Sequence, residues 1–83
     1  MKVLFFAAAR EIIEKHEMEL VFDTKQVNNV SDVKKLLFTR FPELREILEE
    51  SAIAVNEEYV SKNTVLRLSD KDIIAVIPPV SGG

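Results

Sequence analysis

Asp72-Ile73-Ile74-Ala75-Val76-Ile77-Pro78-Pro79 is the stretch whose reading decides the fold. An unbroken apolar run between a charged turn and two prolines reads as a short strand buried on both faces, because a strand with one wet face alternates with polar residues. Pro78-Pro79 ends it, since neither proline can donate to a ladder. Ser69-Asp70-Lys71 marks the turn before it, and Val65 to Leu68 reads as the strand before that turn. Lys2 to Ala7 has the same character at the other end of the chain. Val3, Phe5 and Ala7 face one way, Leu4 and Phe6 the other, and both sets are apolar. Two such strands fit central positions side by side in one sheet, so the first and last strands are expected to be neighbours.

Between them the period changes. Ala9, Ile12, Ile13 and His16 follow helical spacing, which predicts a short helix from Ala8 to about Lys15. Met18, Leu20 and Phe22 then alternate with Glu17, Glu19 and Val21, predicting a strand over 17–22. Asn28 and Asn29 punctuate a turn, with Ser31 as the expected N-cap and Asp32 near the positive end of the next helix. Val33, Leu36, Leu37 and Phe41 make one helical stripe. Pro42 breaks it, and Glu43 to Glu50 restarts the helix with Leu44, Ile47 and Leu48 inward. Ile53 to Asn56 and Tyr59 to Val60 read as a hairpin around Glu57-Glu58, without the Asn-Gly chemistry usual in such a turn. The expected architecture is α+β: one mixed sheet of about five strands packed on helices, with a domain over 1–77 and a flexible tail over 78–83.

Composition narrows the function. A chain of 83 residues is one domain, and a fold of that size has a thin stability margin that burial against a partner would widen. The longest apolar run, Val3 to Ala9, falls far short of a membrane span and lacks the flanks of a signal peptide, so a cytosolic protein with no membrane partner is expected. Net charge is -3 with no basic stripe, which argues against nucleic acid. Cysteine is absent, so any sulfur the protein handles is delivered to it. His16 is the only histidine and has no ligand at matching spacing, so no metal site is expected, and His16 reads as a helix-end residue.

The chemical feature is the ending Pro78-Pro79-Val80-Ser81-Gly82-Gly83. Glycines lack Cβ, so Gly82-Gly83 can enter a slot closed to other residues. Pro78-Pro79 restricts the base of the tail and lowers the entropy lost on insertion. The reacting group would be the Gly83 carboxylate, a poor electrophile that must gain a leaving group before its oxygen can be exchanged. An acyl-adenylate formed from ATP by a separate enzyme supplies one. Ser81 has no neighbouring histidine to activate it and reads as a hydrogen-bonding handle, while Pro78, Pro79, Val80, Ser81 and Gly82 form the inserted segment.

Leu68 to Gly83, with Val3-Leu4-Phe5-Phe6-Ala7-Ala8-Ala9-Arg10-Glu11 and Ala54-Val55-Asn56-Glu57-Glu58-Tyr59-Val60, resembles the molybdopterin synthase small subunits over nearly the whole chain. That resemblance implies a ubiquitin-like β-grasp fold. It also implies adenylation of Gly83 by a ubiquitin-activating-type adenylyltransferase and sulfurtransferase, with ATP used by that enzyme and no cofactor held stably by this chain. The Gly83 thiocarboxylate would then donate sulfur to cyclic pyranopterin monophosphate inside the large synthase subunit, in a heterotetramer with two small subunits; the small subunit is no enzyme on its own. Two departures from the resembled pattern stand in the turns. The usual Gly-Asp-Glu before the last strand reads Lys71-Asp72-Ile73, and the first helix runs into the second strand without glycine.

Other readings use the same end differently: a ubiquitin-like modifier conjugated to lysine through Gly83, a thiamine-pathway sulfur carrier, which Pro78-Pro79 and the first helix disfavour, or an interaction module with an irrelevant tail. Glu43, Glu46, Glu49 and Glu50 form either a solvated helix face or a recognition face for a basic partner. Finally, Leu4 and Phe6 oppose Val3 and Phe5, and Ile74 and Val76 oppose Ile73 and Ile77, leaving apolar sheet surface over. It either docks a partner through Phe6, Tyr59 and Ile77 with Arg10 at the rim, or lies under a loop or small helix.

Overall fold

The computed structural model describes residues 1–79. In chain order they form β1 (Lys2–Phe5), α1 (Ala7–Ile13), β2 (Glu17–Glu19), α2 (Val30–Arg40), α3 (Arg45–Glu50), β3 (Ala52–Val55), β4 (Glu58–Val60) and β5 (Ile73–Ile77), with 3-10 turns at Thr24–Gln26 and Pro42–Leu44. The strands make one mixed five-stranded sheet in the order β2-β1-β5-β3-β4. As the apolar runs lead one to expect, β1 and β5 are neighbours; they run parallel, with Val3 opposite Ile74 and Phe5 opposite Val76, and β5 holds the centre. The helical layer covers one face. Val3, Phe5, Ile53, Ile74 and Val76 point into it and meet Val33, Leu37, Leu44 and Leu48, all essentially without solvent contact. Phe5 packs edge-on against Phe41, centroids 5.9 Å apart.

Several boundaries differ from the sequence reading, each for a local reason. β1 stops at Phe5, because the Phe6 carbonyl accepts from the N–H groups of Ala9 and Arg10 and so caps α1, which starts at Ala7 rather than Ala8. α1 ends at Ile13, short of Lys15. Glu14 takes the left-handed C-cap (φ 63°) and donates to the Arg10 carbonyl, and the Phe5 N–H bonds the His16 carbonyl at 2.8 Å, so His16 already belongs to the approach to β2. Glu14 thus stands where a helix C-terminus favours glycine, which accounts for the short link to β2.

β2 ends at Glu19 instead of Phe22, since its ladder with β1 closes where Leu20 and Met1 exchange backbone hydrogen bonds. The inward set still holds: Leu20 is buried, Met18 and Phe22 are half-buried, and Val21 is exposed. The cap of α2 is Asn29, not Ser31. Its Oδ1 accepts from the Asp32 N–H, while Asp32 Oδ2 accepts from the Asn28 N–H, both at 2.9 Å, a reciprocal pair that satisfies two donors at the helix start. Pro42 breaks the helix as expected, and α3 begins at Arg45 after a 3-10 turn rather than at Glu43.

Val65 to Leu68 is not a strand. Leu66 is buried and Leu68 half-buried while Val65 and Arg67 face out, which produces the period-two pattern; but the Leu66 N–H bonds the Asn28 carbonyl ahead of α2, away from the sheet. The hairpin turn is Asn56-Glu57, one residue earlier than Glu57-Glu58. Both carry positive φ, 50° and 71°, the sense that matches strand twist, and Val55 pairs with Glu58 across it.

Candidate functional site

Registers place the site. Leu4 lies opposite Ala75, Ala75 opposite Ala54, and Ala54 opposite Tyr59, so a straight row crosses four strands on the face away from the helices. The two alanines form a low floor. Larger side chains stand around it: Phe6 and Ile77 at one end, Ile73 at the other, and Tyr59 on the outer strand. The result is an open depression of about 270 Å³, lined by apolar groups apart from Asn56, Glu57 and the Tyr59 hydroxyl. Among the described residues no loop or helix covers it. Phe6 is 42% exposed, Tyr59 71% and Ile73 37%, so of the two readings of the leftover face the uncovered one holds among the described residues.

Phe6, Tyr59 and Ile77 therefore line one surface as the alternation predicts. Arg10 does not join them: it is exposed on α1, and its guanidinium lies 3.5 Å from His16 Nδ1. Sequence reasoning missed Ala54, Ala75 and Asn56. The alanines become visible only through register, because their role is to be small opposite one another. Ile73 adds an apolar wall beside Ala75.

Asn56 fixes the far end of the groove. Its backbone N–H donates to the Ile73 carbonyl (2.8 Å), its side-chain oxygen accepts from the Ile73 N–H (2.9 Å), and its Nδ2 donates to Asp72 Oδ1 (2.9 Å). Asp72 Oδ2 in turn accepts from the Ser69 N–H at 2.8 Å. These bonds hold the Asp72 carboxyl below its ordinary pKa, the Asn56 amide contributing most and the Ser69 N–H next. The β3–β4 turn and the turn before β5 are thereby tied together beside Ile73.

β5 connects this face to the ending. Pro78 is buried and Pro79 exposed, so the chain leaves the sheet at the Phe6–Ile77 end of the groove. Val80, Ser81, Gly82 and Gly83 lie outside the described residues. Among the described residues no group of His, Asp and Glu is arranged to hold a metal ion.

A profile of the ThiS family matches residues 3–83, the span that carries the groove, β5 and the Gly82-Gly83 ending. The chain belongs to the ThiS family. As a ThiS-family chain it is 35% identical over 82 residues to a molybdopterin synthase sulfur carrier subunit of Dictyostelium discoideum, covering 99% of this chain and 94% of that one. Its structure resembles a chain in the complex of subunits 1 and 2 of the molybdopterin-converting factor from Helicobacter pylori, with TM-score 0.63, 28% identity, and coverage of 99% and 96%. SAMP1 from Haloferax volcanii, at TM-score 0.73, 21% identity, and coverage of 99% and 97%, shares the fold. The fold of this ThiS-family chain is thus the ubiquitin-like β-grasp.

Proposed function

We propose that this chain is the sulfur-carrier subunit of a molybdopterin synthase, working through the carboxylate of Gly83. The observation that carries the reading is the full-length family match ending on Gly82-Gly83, together with relatives that are named sulfur carrier subunits of molybdopterin synthase. The geometry supports it: an uncovered apolar groove stands beside the strand that leads into the tail, so a partner seated on the groove receives the tail at its edge.

The chemistry follows from the carboxylate. A ubiquitin-activating-type adenylyltransferase joins one Gly83 oxygen to the α-phosphorus of ATP and releases pyrophosphate, which turns the carboxylate into an acyl-adenylate. A sulfur nucleophile delivered by a sulfurtransferase attacks the acyl carbon and AMP leaves, giving the thiocarboxylate. Its sulfur then attacks a carbon of cyclic pyranopterin monophosphate inside the large synthase subunit and displaces an oxygen substituent there. Water cleaves the resulting acyl–sulfur bond, which leaves the sulfur on the pterin and returns Gly83 to a carboxylate, and two such donations build the dithiolene. Pro78 to Gly82 position the end, the chain supplies the donor rather than a catalytic constellation, and the setting is the cytosol, in a heterotetramer with two small subunits.

Intact-mass measurement after incubation with ATP, an activating enzyme and a sulfide source tests this. The expected change is a gain equal to one sulfur replacing one oxygen, absent in a chain lacking Gly83. A mass unchanged under conditions that sulfurate a known carrier, or isopeptide-linked adducts in its place, would overturn the reading.

A further inference from the structure

A second groove lies on the other side of the molecule, between α2 and α3. It has a volume of about 400 Å³, its floor is Phe38 and Leu48, and its rim carries Lys34, Lys35 and Arg45 against the single carboxylate of Glu49. On a chain of net charge -3 this is a local reversal of sign. Among the described residues the ion pairs are Met1–Glu19 and Lys2–Glu17, and none of the three rim cations forms one there. Arg45 instead holds its guanidinium 5.6 Å from the centroid of the Phe38 ring, and Phe38 is 37% exposed. Burial lowers the pKa of Lys34, and the charge of nearby Lys62 lowers it further, so positive charge is crowded on this side of the helices.

We propose that the α2–α3 groove binds an acidic protein segment that presents an aromatic or branched aliphatic side chain to Phe38. The occupant's carboxylates meet Lys34, Lys35 and Arg45, and its apolar side chain covers the exposed part of Phe38. Charge complementarity selects this occupant over a neutral one, and the apolar floor selects a peptide over a bare anion. Because the groove belongs to the helical layer and the Phe6–Tyr59 face lies on the opposite side of the sheet, both can be occupied together. The site is independent of the sulfur chemistry proposed for Gly83.

The test is an amide NMR titration of the full chain with a blocked peptide of Asp and Glu carrying one Phe and one Leu, alongside a control in which lysine replaces each acid. The expected result is saturable shifts confined to residues 31–38 and 45–49, weakening as salt rises. Arg45→Glu should weaken binding by about tenfold or more, and Glu49→Gln should strengthen it. Arg45 is exposed, and the milder Arg45→Gln provides a second variant whose spectrum reports an intact fold. The proposal is overturned by an equal response to the basic peptide, by shifts on Leu4, Phe6 and Tyr59 instead, or by affinity unchanged in both Arg45 variants. Shifts at the groove that grow with chain concentration in the absence of peptide would overturn it too, making a second copy the occupant.

Discussion

Replacing Tyr59 separates docking from folding more cleanly than any other change on the open face. An aromatic side chain offers about 150–250 Å² to burial, and Tyr59 is 71% exposed. A partner that covers it fully would remove roughly 100–180 Å² from water, worth about 2.5–4.5 kcal/mol at about 25 cal/mol per Å². Imperfect packing trims this toward the hot-spot range of about 2–4 kcal/mol. At 1.4 kcal/mol per decade, Tyr59→Ala should raise the dissociation constant for the large synthase subunit about 30- to 1,000-fold, with Tyr59→Asp at the upper end. The isolated domain should barely notice. Tyr59 lies on the outermost strand and loses at most about 1 kcal/mol of strand preference, a few degrees in Tm. Phe6, at 42% exposure, mixes both effects and is the poorer probe. Calorimetric titration of the two variants against the large subunit, with thermal melts of each chain alone, decides the matter. A folded Tyr59→Asp chain that binds with unchanged affinity would refute the docking argument, and one that fails to fold would place Tyr59 in the core.

Other perturbations probe the frame that holds the groove. Asp72 has a depressed pKa, so the stability it supplies is present above the ordinary carboxylate value of about 3.9 and is lost as pH falls through the lowered one. The Asn56 and Ile73 amide resonances should shift in that acid window and stay still in Asp72→Asn; titration at or above the ordinary value would contradict the Asn56–Asp72–Ser69 arrangement. Asn29→Ala removes the cap of α2 and should cost about 1 kcal/mol, seen as a Tm lower by about 4–8 °C, whereas Ser31→Ala should be close to neutral. Glu14→Gly relieves a left-handed backbone and should raise stability by up to about 1 kcal/mol in denaturant melts, net of the added freedom of the unfolded chain.

Much of the fold is written in side-chain periodicity, and what periodicity leaves out has a common cause. Val3, Phe5, Ile74 and Val76 were legible as core because a strand apolar on both faces has few places to go, and their alternation separates the core face from the open one. Val65 to Leu68 shows the limit. Alternation there records only which residues face the core, and whether the backbone joins a sheet depends on where its N–H groups find acceptors, here the Asn28 carbonyl. The same blindness moved the hairpin turn by one residue and the α2 cap by two. Both positions were settled by asparagine, at Asn56 through its tolerance of positive φ and at Asn29 through a side-chain acceptor, rather than by any apolar pattern.

If the proposed function holds, recognition and delivery meet in β5, which is why the candidate site could be half read from sequence and half not. Its five residues divide cleanly, Ile74 and Val76 anchoring the strand in the core and Ile73, Ala75 and Ile77 building the groove, and Pro78-Pro79 follow them toward the ending. A partner that grips the groove therefore holds a strand locked between β1 and β3, and the point from which the last residues depart is fixed relative to that grip. On the proposed function, affinity comes from the face and chemistry from the end, so shortening the tail should abolish sulfur transfer without weakening docking, while Tyr59→Ala should weaken docking without preventing adenylation-dependent sulfuration at Gly83. If both changes disabled both steps, the groove and the ending would not be separable functions joined by one strand, and the division of labour within β5 would fall.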